Sequence, residues 1–311
     1  AQNHQPDTEG SWSDRKQVAV QAYLEWMPVR DPEAGKAREA LWRSFTFGDV
    51  ATVHALETRL TGRSEEISWS TELNNVAPAD VPAKAVEVMG RVNDPSRTML
   101  GEEQEDWLAG ELTASVKGGK TWQVLANQII MARVVPPNLN ATLTDEQKAQ
   151  ITNPYVQPLV GFTALQLPFN LDAWDGFPAA RERLYASAKT AGARLVTLTG
   201  DTHTAWANTL VDGVGERRGV EFGCTSVTSP GLGDLLPFPD LGQQFSDNNS
   251  EVDWYDPFGS GYTVLTLTKD DVQAEFLKVD TILQPSESIV SEASFKTSVD
   301  GDSLTALEKT S

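Results

Sequence analysis

The chain has 311 residues, of which 22% are charged and 40% hydrophobic, enough to bury a large core, and no linker break interrupts it. Twenty-five basic against 44 acidic residues leave a net charge of −19, which argues against a sequence-reading nucleic-acid groove and against an anionic membrane surface. No stretch approaches the roughly twenty apolar residues that cross a bilayer, and the single cysteine, Cys224, excludes an intrachain disulfide.

Read in chain order, the sequence opens at Ala1 without an initiator Met, from which an absent amino-terminal part is expected. Ser13 is placed to cap a helix in which Val18, Ala22 and Trp26 recur every fourth residue, with Tyr23 and Met27 beside them, until Pro28 ends it. Such an aromatic stripe reads most simply as core. The run from Phe47 to Arg59 is strand-like and delivers Glu57 and Arg59 to one face at its end, as a structural ion pair or as a substrate contact. Residues 60 to 96, punctuated by Gly62, Pro78, Pro82 and Pro95, read as surface excursions.

A helix is predicted over 102 to 117, with Trp107, Leu108, Leu112 and Val116 toward the core and Gly118 as its C-cap. Glu102, Glu103, Glu105 and Glu111 form its exposed face, and the acidic first turn suits the positive end of the helix dipole. A strand is expected from Thr121 to about Ala132, then a loop-rich stretch from 133 to 172 with one short helix started by Thr144 and Gln147. Asp172 and Asp175 precede a helix running from Pro178 to about Ala191, where Leu184 and Ala188 face the core. The two aspartates either shape the turn into that helix or border a site.

The stretch from Arg194 to His203 reads as a short buried strand ending in Gly200-Asp201-Thr202-His203. In an extended backbone, residues i and i+2 leave the same face, so Asp201 and His203 are expected to address one point at the carboxyl end of the strand. Ligands gather at that end of open α/β sheets, and a carboxylate beside an imidazole is a common metal-ligand pairing. The alternative is that Asp201 caps the segment after the strand and His203 is a packed histidine. Val220 to Thr228 is a further strand with Cys224 as a packed thiol, and Pro230-Gly231-Leu232-Gly233 turns the chain sharply. Gly261 to Thr268 and Val272 to Val279 flank Lys269-Asp270-Asp271 as a β-hairpin. The order of strand, helix and strand favours an α/β architecture over residues 1 to 280, with 281 to 311 as a Ser/Thr-rich tail, an edge strand or loose end. No P-loop, dinucleotide glycine fingerprint or Cys-rich zinc pattern is present.

Several of these motifs, in this order, resemble the alkaline phosphatase D (PhoD-like) family of phosphomonoesterases and phosphodiesterases. They are Ala22-Tyr23-Leu24-Glu25-Trp26-Met27-Pro28-Val29-Arg30; Phe47-Gly48-Asp49 leading to Leu56-Glu57-Thr58-Arg59; Arg97-Thr98-Met99-Leu100-Gly101-Glu102-Glu103-Gln104; Trp122-Gln123-Val124-Leu125-Ala126-Asn127-Gln128; Trp174-Asp175-Gly176-Phe177 with Arg181 and Arg183; Gly200-Asp201-Thr202-His203; and Thr225-Ser226-Val227-Thr228-Ser229. Glu57 departs from the family, which usually has Asp there.

The resemblance implies a four-layer α/β/β/α metallo-dependent phosphatase-like sandwich and metal-assisted hydrolysis of phosphate mono- or diesters, in small molecules or polymers. It implies divalent or trivalent cations, calcium and iron in this family, with Asp201 and His203 as metal ligands and catalytic groups and with Asp172 and Asp175 as site neighbours; Arg59 is a candidate for orienting the phosphate by its strand-end position alone. The family's Trp-Asp-Asp-His-Glu type motif has no counterpart here. The chain is therefore expected to be a carboxy-terminal portion lacking the amino-terminal half, with a partial metal site that is weak by itself. Export to a periplasmic or extracellular location is implied by the family alone. Two other readings stay open: a non-catalytic metal-binding or accessory protein derived from this fold, and a carbohydrate- or protein-binding module using Trp254 and Tyr255 in a loop from Ser246 to Gly261.

Overall fold

A computed structural model describes residues 4 to 153 and 156 to 311. A seven-stranded mixed sheet forms its centre: β1 (Arg43–Phe47), β2 (Ala51–Ala55), β3 (Trp122–Ala126), β4 (Leu195–Thr199), β5 (Ala205–Val211), β6 (Arg217–Gly223) and β7 (Val252–Asp256), in the order β1-β2-β3-β4-β6-β5-β7. Neighbours β2, β3, β4 and β6 run parallel. Parallel strands buried on both faces need near-continuous apolar sequence, which Trp122, Val124, Leu125, Leu195 and Val196 supply.

Helices α1 (Trp12–Trp26), α2 (Val81–Val92), α3 (Glu102–Lys117), α4 (Pro178–Ala191) and α5 (Leu241–Asn248) are the longer ones. Leu108 and Leu112 of α3 and Leu184, Tyr185 and Ala188 of α4 join Leu125 and Leu195 of the sheet in one core. On the opposite face, Trp122, Val124, Val196, Val220 and Phe222 meet Val272, Ala274, Phe276, Ala293 and Phe295 of a second, antiparallel sheet. That sheet consists of β8 (Gly261–Leu267), β9 (Asp271–Val279), β10 (Ile289–Asp300) and β11 (Ser303–Leu304), with β12 (Glu308–Lys309) also on β10. Alternating burial along β9 places Val272, Ala274 and Phe276 inward, as a period of two requires.

Several expectations change with the structure. The described residues form three layers, α/β/β; Tyr262 and Val264 on the outer side of the second sheet stand exposed, with no helical fourth layer over them. The run from Phe47 to Arg59 contains a turn and then β2, with β1 lying antiparallel before it, because Gly48 at φ +53 reverses the chain. The strand after Thr121 stops at Ala126, five residues in. Residues 289 to 300 are the longest strand and bury Ala293 and Phe295, so this part of the tail belongs to the fold. Trp254 and Tyr255 are in β7 rather than an exposed loop: Tyr255 stacks on Trp206 at 3.8 Å, and Trp254 packs on Phe276.

Helix α1 differs most from its sequence reading. It is capped by Ser11, not Ser13, and buries only Val20. Val18 and Trp26, expected in the core, are 67% and 86% exposed.

Candidate active site at the carboxyl ends of three parallel strands

The segments leaving β2, β3 and β4 come together because their strands are parallel neighbours. The Thr58 amide donates to the Gln128 side-chain oxygen at 2.9 Å, and Gly200 N–H donates to the Gln128 carbonyl at 3.4 Å. Gln128 thereby ties the Glu57–Arg59 segment to the Gly200–His203 turn. A second constraint comes from Gly62 and Gly101, whose backbones touch: a Cβ on Gly62 would lie 2.3 Å from Gly101 Cα. Only glycine permits this approach, which fixes the loop bearing Arg59 and Arg63 against the start of α3.

Glu57 serves this loop as an internal cap. Its buried carboxylate accepts from the amides of Arg59, Leu60 and Thr61 at 2.6, 2.8 and 3.0 Å and from the Thr61 hydroxyl at 2.8 Å. It forms no ion pair with the Arg59 side chain among the described contacts, contrary to the pairing read from the sequence. The guanidinium faces elsewhere. Arg59 Nη1 donates to Asp172 Oδ2 at 2.5 Å, and Nη2 lies 3.6 Å from Asp201 Oδ1.

Asp172 therefore joins the site, held from two sides by Arg59 and by Arg63, which donates to its other oxygen. Burial works to raise the Asp172 pKa, but the hydrogen bond from Arg59 and the nearby positive charges outweigh it and hold the carboxyl below its usual range. Arg63 is a member that the sequence reading misses, since it lies in a stretch read only as surface loop. It rests 4.7 Å from the centroid of the buried Phe177 ring, as does Arg97. The Thr-Arg-Leu-Thr-Gly-Arg spacing from 58 to 63 is its only signal.

Asp175 is a correction. Three residues beyond Asp172, it turns into the core, where it pairs with Arg181 Nη1 at 2.8 Å and accepts from Val134 N–H at 2.9 Å. Both partners are nearly inaccessible to solvent, so Asp175 anchors α4 and does not border the site.

Asp201 reaches the site through its contact with Arg59, and it and His203 are held differently from what the sequence suggests. They are not consecutive same-face positions of an extended strand; both lie in the left-handed region, at φ +69 and +58, in the bend after β4. Only two other non-glycine residues among those described share that region, Asn75 and Gln166. Such conformations cost roughly 1–3 kcal/mol each and gather where surrounding structure imposes them. The imposing contacts are visible. His203 Nδ1 donates to the Pro230 carbonyl at 2.9 Å, and the Thr225 hydroxyl donates to the His203 carbonyl at 3.2 Å. A Cβ on Gly231 would lie 2.6 Å from the His203 carbonyl oxygen, so the Pro230-Gly231 turn is a seat built for this histidine.

Because a carbonyl only accepts, the Nδ1 proton is fixed, and in the neutral ring Nε2 is left as a bare lone pair. That is the tautomer a metal-binding imidazole needs, with the outer hydrogen bond that usually accompanies it. The donor chemistry of Asp201 and His203 fits a divalent cation, but two donors do not close a coordination shell. No group of three or more His, Cys, Asp or Glu able to hold a metal occurs among the described residues. Cys224, half-buried after β6, adds no ligand group.

A family model described as PhoD-like phosphatase matches residues 1–276. The alkaline phosphatase D of Bacillus subtilis (strain 168) is 30% identical over 288 residues, which is 90% of this chain and 42% of that protein. A solved structure described as "Structure of PhoD" superposes with a TM-score of 0.65 at 28% identity, covering 96% of this chain and 49% of that one. The chain thus spans less than half the length of these relatives. A match that begins at residue 1 and covers most of the chain does not mark it as a carboxy-terminal portion, and that expectation is not borne out.

Proposed function

The chain belongs to the PhoD-like phosphatase family, and from that premise we propose that its strand-end site takes part in metal-assisted hydrolysis of phosphate mono- or diesters. The observation that carries this reading is the Asp201 carboxylate beside the Arg59 guanidinium, with His203 two residues on held by Pro230 so that Nε2 is bare. Asp201 and His203 would hold a cation, calcium or iron by family likeness, which when bound supplies charge neutralisation and a more acidic water.

The contacts of the chain's own residues define their parts. Arg59 presents a guanidinium between two carboxylates, a fork suited to phosphoryl oxygens. Asp172 orients that fork, and Arg63 balances the charge of Asp172, so that an arriving phosphate need not displace a neutral ion pair unaided. Asp201, already beside Arg59, would share its negative charge between that guanidinium and a bound cation. In a chain of net charge −19, such local positive charge is what an anionic substrate requires.

The site on this chain is partial on this reading, because it has two donors where catalytic cations usually have three protein ligands or more. A second reading, a metal-binding or accessory protein without catalysis, is favoured by that same shortage. Export from the cytoplasm remains a proposal from family likeness; no helix of the described residues is long and apolar enough to cross a membrane.

The test is hydrolysis of p-nitrophenyl phosphate and its bis-ester by wild type and Asp201→Asn, with cations supplied, in the chain and in a longer relative carrying the equivalent change. Loss of about two or more orders of magnitude in the longer enzyme, with unchanged folding, supports a ligand role. Unchanged rates would remove Asp201 from the chemistry. Hydrolysis abolished by Arg59→Ala but not by Asp201→Asn would leave a phosphate-binding site that does not use the cation.

A further inference from the structure

Gln128 is held from both sides of the strand-end site and keeps one end of its amide unspent. Its side-chain oxygen accepts from the Thr58 amide at 2.9 Å and from the Thr58 hydroxyl, and its carbonyl oxygen accepts from Gly200 N–H at 3.4 Å. Thr58 immediately precedes Arg59, and Gly200 immediately precedes Asp201. Gln128 is therefore fixed relative to both partners of the Arg59–Asp201 contact. A backbone N–H only donates, so the end of the amide that Thr58 addresses is its oxygen, and the two ends cannot be interchanged. Nε2 is left with donors that meet no acceptor among the described residues.

We propose that Gln128 Nε2 is a second phosphoryl donor beside Arg59, which makes Gln128 a substrate-contacting residue as well as a brace between two loops. The side chain is exposed and lines the same cleft as Arg59, so one anion can reach both. The carboxylates around it are already engaged: Glu57 accepts from the amides and hydroxyl of its own loop, and Asp172 is held by Arg59 and Arg63. An ordinary exposed glutamine turns freely, whereas this one is locked by Thr58 and presents its donors at a fixed point, the preorganisation on which oxyanion recognition depends. A guanidinium fork engages part of a phosphoryl group, and a neutral amide beside it takes a further oxygen without adding charge to the Arg59, Arg63, Asp172 and Asp201 cluster. The proposal rests on the phosphoesterase reading for the identity of the anion, though not for where it binds.

To test it, the isotope-labelled 311-residue chain is titrated with sodium phosphate at constant ionic strength, and the Gln128 side-chain NH2 resonances, assigned by their loss in Gln128→Met, are followed by NMR. The expected result is a saturable shift of that NH2 pair together with the Arg59 guanidinium, and phosphate binding weakened about tenfold or more in Gln128→Met. Thr58→Val removes the hydroxyl that helps to brace the amide but leaves the Nε2 donors in place, and should weaken binding far less. Circular dichroism and melting temperature check that both variants fold, and the shift in the wild-type chain reads the contact whether or not they do.

A Gln128 pair that phosphate leaves unmoved would overturn the proposal, and so would equal losses in Thr58→Val and Gln128→Met, the mark of a brace alone. A shift reproduced by sodium chloride would reveal an adventitious ion only and overturn it too. If phosphate moves the Gln128 pair while Asp201→Asn leaves hydrolysis unchanged in the longer relative, the anion contact stands and the metal-assisted reading falls. If the pair is silent and Asp201→Asn abolishes hydrolysis, that reading stands and the Gln128 contact falls.

Discussion

Helices α3 and α1 look alike as sequence and behave oppositely as structure. Both carry apolar residues at three- and four-residue spacing, yet α3 buries Leu108 and Leu112 against the sheet and α4, while α1 buries Val20 and leaves two tryptophans in view. Periodicity reveals which face of a helix needs cover; it does not say whether the same polypeptide provides it. The α3 side of the molecule is a packed interior, with a buried ion pair and a buried carboxylate, whereas the α1 side leaves most of its helix's apolar surface exposed.

The largest effect that would sharpen the contrast comes from the packed side. Asp175→Ala should cost about 3–5 kcal/mol, because it strands the Arg181 guanidinium in the core without its carboxylate. Urea denaturation reads this directly, and a loss below about 1 kcal/mol would mean that Asp175 is not the anchor described. Leu112→Ala, at a fully buried position, should cost about 2–5 kcal/mol by the same measurement.

Glu221 supplies a pH signature for that interior. Fully buried, it accepts from the amides of Met131 and Ala132 and from Asn208, and burial raises its pKa to about 7. The folded protein therefore holds this proton more tightly than the unfolded chain. Its contribution is fully present below about pH 4.5, the ordinary glutamate value, and is lost as pH rises toward 7, a swing of roughly 3 kcal/mol. His54, buried and shifted down to about 4, acts in the opposite sense, its contribution present above 6.5 and lost as pH falls toward 4. The carboxyl carbon of Glu221, followed by NMR, should titrate near 7; a midpoint near 4.5 would contradict its burial.

Two smaller effects probe the surface on either side. Glu105 reads in the sequence as part of a solvated acidic face, but it accepts from Arg183 at 2.7 and 2.8 Å and from Thr98 at 2.8 Å. Glu105→Ala should therefore cost about 1 kcal/mol in the same denaturation experiment, more than an ordinary surface change. Trp26→Ala should change the stability of the chain by less than about 0.5 kcal/mol. A large loss there would break the comparison, because it would show α1 already engaged.

Legibility in the sequence divides along the same line. The α3 boundaries, the hairpin of β8 and β9 and the helix beginning at Pro178 depend on local caps, turns and periodicity, and they stand as read. The sequence picks out Asp201, His203, Arg59 and Asp172 as candidates, and the structure gathers the first, third and fourth around shared contacts. The reason the sequence offers for Asp201 and His203 is wrong, since left-handed backbone imposed by Pro230 and Gly231 is a tertiary effect some thirty residues away in sequence. Asp175 fails for a similar reason: an aspartate at the start of a helix looks the same whether it faces solvent or a buried arginine. Arg63 is missed because its spacing from Arg59 is the only local mark of a loop arginine that stacks on a distant phenylalanine.

The proposal that Asp201 and His203 hold a cation is tested most directly by paramagnetic broadening by Mn²⁺, which registers even a weak, two-donor site. Titrated into the isotope-labelled chain, Mn²⁺ should broaden the resonances of Gly200 to Thr204 and the His203 ring first, and Asp201→Asn should abolish that broadening. Broadening centred instead on the acidic first turn of α3, or unchanged by Asp201→Asn, would contradict the account.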